Sequence, residues 1–210
     1  MIPRARFTLA LLALAGAATS CAKAGKPGAV TAADPVLPEC AALRYLPLVD
    51  GNQWAYDAKD DETGEEGMFV TRARRVRGAS FTLMSSQGSH ALEVRPDGIV
   101  RTETDAYVLK APLTSGAEWP GEGGSVVHIS AVDRAVEVPA GKFVGCLETI
   151  EETHAITGTS LSRRVTTTYC PDVGVARLHA EIWRGGRHVG EHATLRSFGK
   201  PVQFEATGKP

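Results

Sequence analysis

The chain has 210 residues, 22% of them charged, a formal net charge of -1 at pH 7 and an ordinary apolar share of 43%. That length suits one domain with a real core. The near-balanced charge, more negative still if Arg4 and Arg6 leave with a leader, gives no basic surface for nucleic acid.

The N-terminus sets the compartment. Arg4 and Arg6 precede the uncharged run "FTLALLALAGAATSCA", whose apolar part ends in small residues, the pattern of a secretory signal. The run is too short to span a bilayer comfortably. "AATSC" resembles a lipobox, which implies a signal peptide over 1-20 and lipidation of Cys21. Several acyl chains on one Cys would hold the protein on a membrane without a transmembrane helix. The other reading is a plain signal peptide cut nearby. Residues 21-38 mix Ala, Gly and Pro without an apolar period, which predicts a flexible tether. Ala22 follows the Cys, which by the same resemblance favours the outer membrane.

A single β-rich domain is expected over 39-202, with a short tail at 203-210. "ECAALRYL" predicts one or two helical turns. From there the chain reads as short strands bounded by Gly, Pro, Asp and Ser: "QWAYDA", "MFVTRARRV", "SFTLMSS", "ALEVR", "GIVRTE", "SVVHISAV", "AVEVP", "FVGCLETIEE" and "RRVTTTYC". The fold class is therefore mainly β, an antiparallel curved sheet, half-barrel or barrel-like. The acidic segment Asp60 to Gly67 lacks the ligand spacing of a calcium loop and predicts a solvated hairpin tip. "GEGGS" lacks the flanking strand, Lys and helix of a phosphate loop.

Two signals occur twice. "PLVDGNQW" at Pro47 to Trp54 matches "PLTSGAEW" at Pro112 to Trp119, and "PDGIVR" at Pro96 to Arg101 matches "PDVGVAR" at Pro171 to Arg177. Their order is kept, which predicts two pseudo-repeated halves, 45-110 and 111-202. The alternative is that both are common turn-to-strand solutions.

Two hairpins register themselves. With Gly185-Gly186 as a two-residue turn, Ile182 faces Val189, Leu178 faces Ala193 and Ala176 faces Leu195 on an apolar face, with Glu191 the misfit. The opposite face sets His179 against His192 and Trp183 against His188. A second hairpin centred on Gly158 sets Phe143 against Val173, Leu147 against Tyr169, Thr149 against Thr167 and Glu152 against Arg164. That register brings Cys146 opposite Cys170, close enough for a disulfide in an oxidising compartment. Cys40 is left as a small buried hydrophobe or as a partner in a different pairing.

No spacing joins Ser, His and carboxylates into a triad or dyad, so an enzyme is not expected, and no cofactor is. No metal is assigned; His179 and His192, with Glu181 diagonal, are the candidates should one bind.

"YLPLVDGNQWAY", Tyr45 to Tyr56, resembles the opening signature of a group of poorly characterised bacterial secreted lipoproteins, Y-x-P-L-x-x-G-N-x-W-x-Y. "VPAGKFVGC", Val138 to Cys146, resembles their V-P-A-G-x-F element. "PDVGVARL" departs from the Pro-Gly more frequent at their third landmark. The resemblance implies β-rich architecture, a half-barrel like those of bacterial lipoprotein carriers. The expected function is a non-enzymatic interaction or scaffold module binding another envelope protein; the alternative is a periplasmic carrier of a lipid or other apolar ligand in a concave sheet. For the second, Trp54, Trp119 and Phe143 are the candidate lining residues, and core residues otherwise.

Overall fold

The computed structural model describes residues 37-153 and 161-200. Cys21, the leader, nearly all of the tether, Gly158 and the C-terminal tail lie outside them. All the strands form one antiparallel sheet of 12, nearly closed into a barrel. The strands are β1 Gln53–Asp60, β2 Glu66–Arg77, β3 Ser80–Ser85, β4 Gly88–Arg95, β5 Gly98–Arg101, β6 Ala106–Lys110, β7 Glu118–Pro120, β8 Val126–Val138, β9 Gly141–Thr153, β10 Leu161–Cys170, β11 Gly174–Arg184 and β12 Arg187–Gly199.

Their spatial order is β6-β5-β4-β3-β2-β1-β12-β11-β10-β9-β8-β7. Each run of six is a meander in chain order, and the two join where β1 pairs with β12. The doubled landmarks fall at matching places in this order. P-L-x-x-G-x-x-W leads into the first strand of each meander, and P-D-(x)-G turns between its fourth and fifth. Trp54 and Trp119 are both buried, each at 3% exposure, and each indole N–H donates to a main-chain carbonyl: Val173 O at 2.6 Å and Tyr107 O at 3.0 Å.

Strand alternation builds the interior. Trp54 and Tyr56 of β1, Ala73 of β2, Phe81 of β3, Leu92 and Val94 of β4, Leu147 of β9, Tyr169 of β10 and Leu195 of β12 all face in and are buried. Their intervening neighbours face out. The 3-10 turn Ala41–Arg44, one turn long, and Leu46 and Leu48 close the end of the barrel where β1 begins. Asp172 N–H donates to Arg44 O across that floor.

The registers anticipated for both hairpins are present. In the β11–β12 ladder Leu178 faces Ala193, His179 faces His192, Ile182 faces Val189 and Trp183 faces His188. In the β9–β10 ladder Leu147 faces Tyr169, Thr149 faces Thr167 and Glu152 faces Arg164. Cys146 and Cys170 are disulfide-bonded with Cα atoms 4.2 Å apart. Cys40 is unbridged and packs, half-buried, against the core. Two expected pairs fall outside the ladders: the β11–β12 ladder begins at Arg177 and Thr194, short of Ala176 and Leu195, and Phe143 faces Val136 of β8, because β10 ends at Cys170 and Val173 already belongs to the next turn.

The strand list also needs correction. "SVVHISAV" and "AVEVP" are one strand, β8, whose register shifts between Ile129 and Val136 and whose Asp133 takes a φ of 56°. A bulged strand bends sharply and breaks the alternation that marks it in sequence. β6 and the three-residue β7 carry too little pattern to be seen.

Candidate functional site

Alternation around a nearly closed barrel leaves a cavity of about 310 Å3, lined by side chains from eleven strands, β1 to β6 and β8 to β12. That volume lies at the lower end of the range for small-molecule sites. Near the floor its wall is Leu46, Trp54 and Tyr169; above them come Tyr56, Phe69, Leu83, Leu92 and Val165. Tyr56 and Phe69 stack with ring centroids 5.0 Å apart.

Polar groups in the wall fall into two kinds. The deep ones are satisfied within the protein. Tyr56 Oη donates to Val175 O at 3.1 Å, and burial, with Tyr169 as a lesser neighbour, holds its phenol far above the ordinary range. Burial likewise pushes the Tyr169 phenol up to about 12, so both rings stay neutral at any physiological pH. The shallow ones are charged. Arg101 pairs with Glu122, and Glu151 accepts the Ser125 hydroxyl at 2.7 Å. Gly121 is pressed so close that an added Cβ would lie 2.2 Å from Ser125 Oγ, which fixes glycine at this point of the rim. Arg163 and Glu191 also line the mouth.

The expected lining residues divide. Trp54 stands in the cavity wall and in the main core at once. Trp119 is in a separate small cluster with Val127 and Ile129, packed by Tyr107, at the seam where β6 and β7 meet without a ladder. Phe143 lies half-buried against the core, edge-to-face with Phe198 at 5.9 Å. Nothing in residue order marks Tyr56, Phe69, Leu92 and Tyr169 as cavity residues, because core and cavity faces share one alternation.

On the outer face, His179 and His192 do face one another, with ring centroids 6.4 Å apart. The group between them is Asp61, not Glu181. Asp61 Oδ2 lies 3.0 Å from His179 Nε2 and Oδ1 lies 2.7 Å from His192 Nδ1, while its N–H donates to Gly190 O. Those two imidazole contacts, His192 first, draw the Asp61 carboxyl below its ordinary value. Glu181 turns toward His188, 3.3 Å away. Among the described residues no three His, Cys, Asp or Glu side chains are placed to hold a metal ion. The hairpin tip Asp60 to Gly67 is thus largely solvated, but Asp61 clasps β11 and β12 and Glu62 accepts from Arg187 of β12 at 3.2 Å; nothing local in the sequence marks those contacts.

Comparison with known proteins adds little. No family model matches the chain, and no curated protein does. Among solved structures, it is similar to a predicted exported protein with YmcC-like fold from Bacteroides fragilis NCTC 9343, at TM-score 0.46 and 11% identity, covering 74% of this chain and 99% of that one. It is also similar to a predicted lipoprotein from Parabacteroides distasonis ATCC 8503, at TM-score 0.45 and 12% identity, covering 77% of this chain and 100% of that one.

Proposed function

We propose that this chain is a lipid-anchored protein of the bacterial cell envelope, placed at the outer membrane, that carries a lipid or other apolar molecule inside its barrel. The observation that supports the carrier reading is the cavity of about 310 Å3, whose deep wall is apolar and whose deep polar groups already have protein partners. Such a wall offers burial and asks for no polar chemistry in return. Filling it with an alkyl chain gains roughly 0.8 kcal/mol per methylene. The anchor rests on the leader and lipobox pattern ending at Cys21.

Native mass spectrometry of the protein released from its membrane tests this. The wild type is expected to retain one apolar molecule per chain, and Val165→Trp, which fills the cavity from β10, to retain none. Wild-type protein that leaves the membrane empty, and stays empty after incubation with extracted envelope lipid, would reject the carrier.

The scaffold reading has its own observation. Met68, Val70 and Met84 stand exposed on the outer face of β2 and β3. Cavity and patch use opposite faces of one sheet, so neither function precludes the other.

A further inference from the structure

The upper wall of the cavity shows what shape of molecule it takes, if the carrier reading holds. Three adjoining strands place inward-facing residues in level rows: Thr167, Leu178 and Ala193; then Val165, Ala180 and Glu191; then Arg163, Ile182 and Val189. The first two rows belong to the closed part of the barrel. In the third, Ile182 and Val189 are 39% and 38% exposed, and they prolong the apolar line of Leu178 and Ala180 past the charged Glu191. A greasy strip that leaves the cavity and runs up an open lip is costly to expose unless something lies along it. From Tyr169 near the floor to Arg163 is six positions of one strand, about 20 Å at the usual rise. The acyl chains of one leaflet reach about 15 Å, half the hydrocarbon core of a bilayer.

Charge at the lip narrows the class further. Arg101 and Glu151 have protein partners, but the side chains of Arg163 and Glu191 line the mouth with no ion pair or hydrogen bond to any described residue. They sit two strands and two positions apart, about 12 Å between Cα atoms on an ideal sheet. Both side chains rise from the inward face, so a guanidinium and a carboxylate flank the exit of one apolar channel. We infer that the ligand is a single-chain amphiphile with a zwitterionic head, its chain running from Tyr169 to Ile182 and Val189. Its phosphate sits on Arg163 and its ammonium on Glu191. A phosphate accepts two parallel N–H bonds from a guanidinium, which an ammonium at that position would not supply.

Equilibrium dialysis of the intact protein in amphipol, with each probe below its micellar concentration, reads this directly. The probes are palmitoyl lysophosphatidylcholine, palmitate and hexadecyltrimethylammonium. The zwitterion is expected to bind at least about tenfold more tightly than either singly charged probe. Arg163→Gln should erase its advantage over the cation, and Glu191→Gln its advantage over palmitate, while Arg163→Lys, which keeps the charge but loses the paired N–H bonds, should retain only part of the advantage over the cation. Equal binding of the three probes, or a preference for palmitate or the cation, would overturn the head-group assignment and leave the carrier standing. Binding of none of them by protein already stripped of lipid would overturn both.

Discussion

The indole N–H of Trp54 donates to the main-chain carbonyl of Val173, 2.6 Å away and 119 positions along the chain. It ties the first strand of one meander to the P-D-(x)-G turn of the other. Gly174, at φ +105°, presses on the same indole, where a Cβ would lie 2.8 Å from Nε1. Trp54→Phe keeps an aromatic side chain but removes the indole N–H and some buried volume, leaving a buried carbonyl unpaired, so at least about 1–3 kcal/mol of stability should be lost in urea unfolding. Gly174→Ala should also destabilise, through both the left-handed backbone and the contact. An unchanged midpoint for Trp54→Phe would mean that the bond contributes nothing.

The Cys146–Cys170 bridge closes a loop of sequence separation 24. Constraint of the unfolded chain over a loop of that size is worth roughly 3 kcal/mol. The paired Cys146→Ser, Cys170→Ser variant should therefore unfold at markedly lower denaturant. Cys40→Ser, which removes an unbridged thiol, should change the midpoint far less; the reverse ranking would speak against the assignment.

Asp61 supplies a pH signature with a definite sign. Its carboxyl is held below its ordinary value by His192 and then His179. A group depressed in the folded state adds stability above its unfolded value, near 3.9, and loses that contribution as pH falls through the depressed one. The stability difference between wild type and Asp61→Asn should be constant in direction above about pH 4 and shrink below it. Parallel curves from neutral pH down to pH 2 would show that the clasp does not act through ionisation.

The lip makes a prediction about stability and ligand together. Ile182 and Val189 are each more than a third exposed, so Ile182→Ser with Val189→Ser should alter unfolding free energy by no more than about 0.5 kcal/mol per site. The same double variant should weaken retention of long-chain amphiphiles and spare short-chain ones. Equal weakening for both lengths would place the chain elsewhere in the barrel.

Much of this architecture was legible in residue order, for reasons that differ by region. The β11–β12 register follows from Gly185 and Gly186, whose φ values of 57° and 81° are those a tight primed turn needs. The disulfide follows from the alternation of β9 and β10, because a slip of one residue would bury their charged faces. The face of Ile182 and Val189 is read correctly but not their exposure, since alternation says which way a side chain points and not how far the barrel extends. Asp61 is invisible because the clasp depends on the curl of one hairpin over another strand pair. The cavity is invisible for a related reason: a packed interior and a hollow one present the same inward residues, and only the curvature of the closed sheet separates them.

The pairing of β1 with β12 also governs when the molecule can be completed. Residues 53 to 60 stay with one open edge until residues 191 to 199 have been synthesised. Through nearly the whole of synthesis the nascent sheet offers unpaired amides to any neighbouring strand. The last segment made is the one that shields the first, so a chain truncated before residue 187 would keep every earlier strand and a sticky border that nothing of its own could cover.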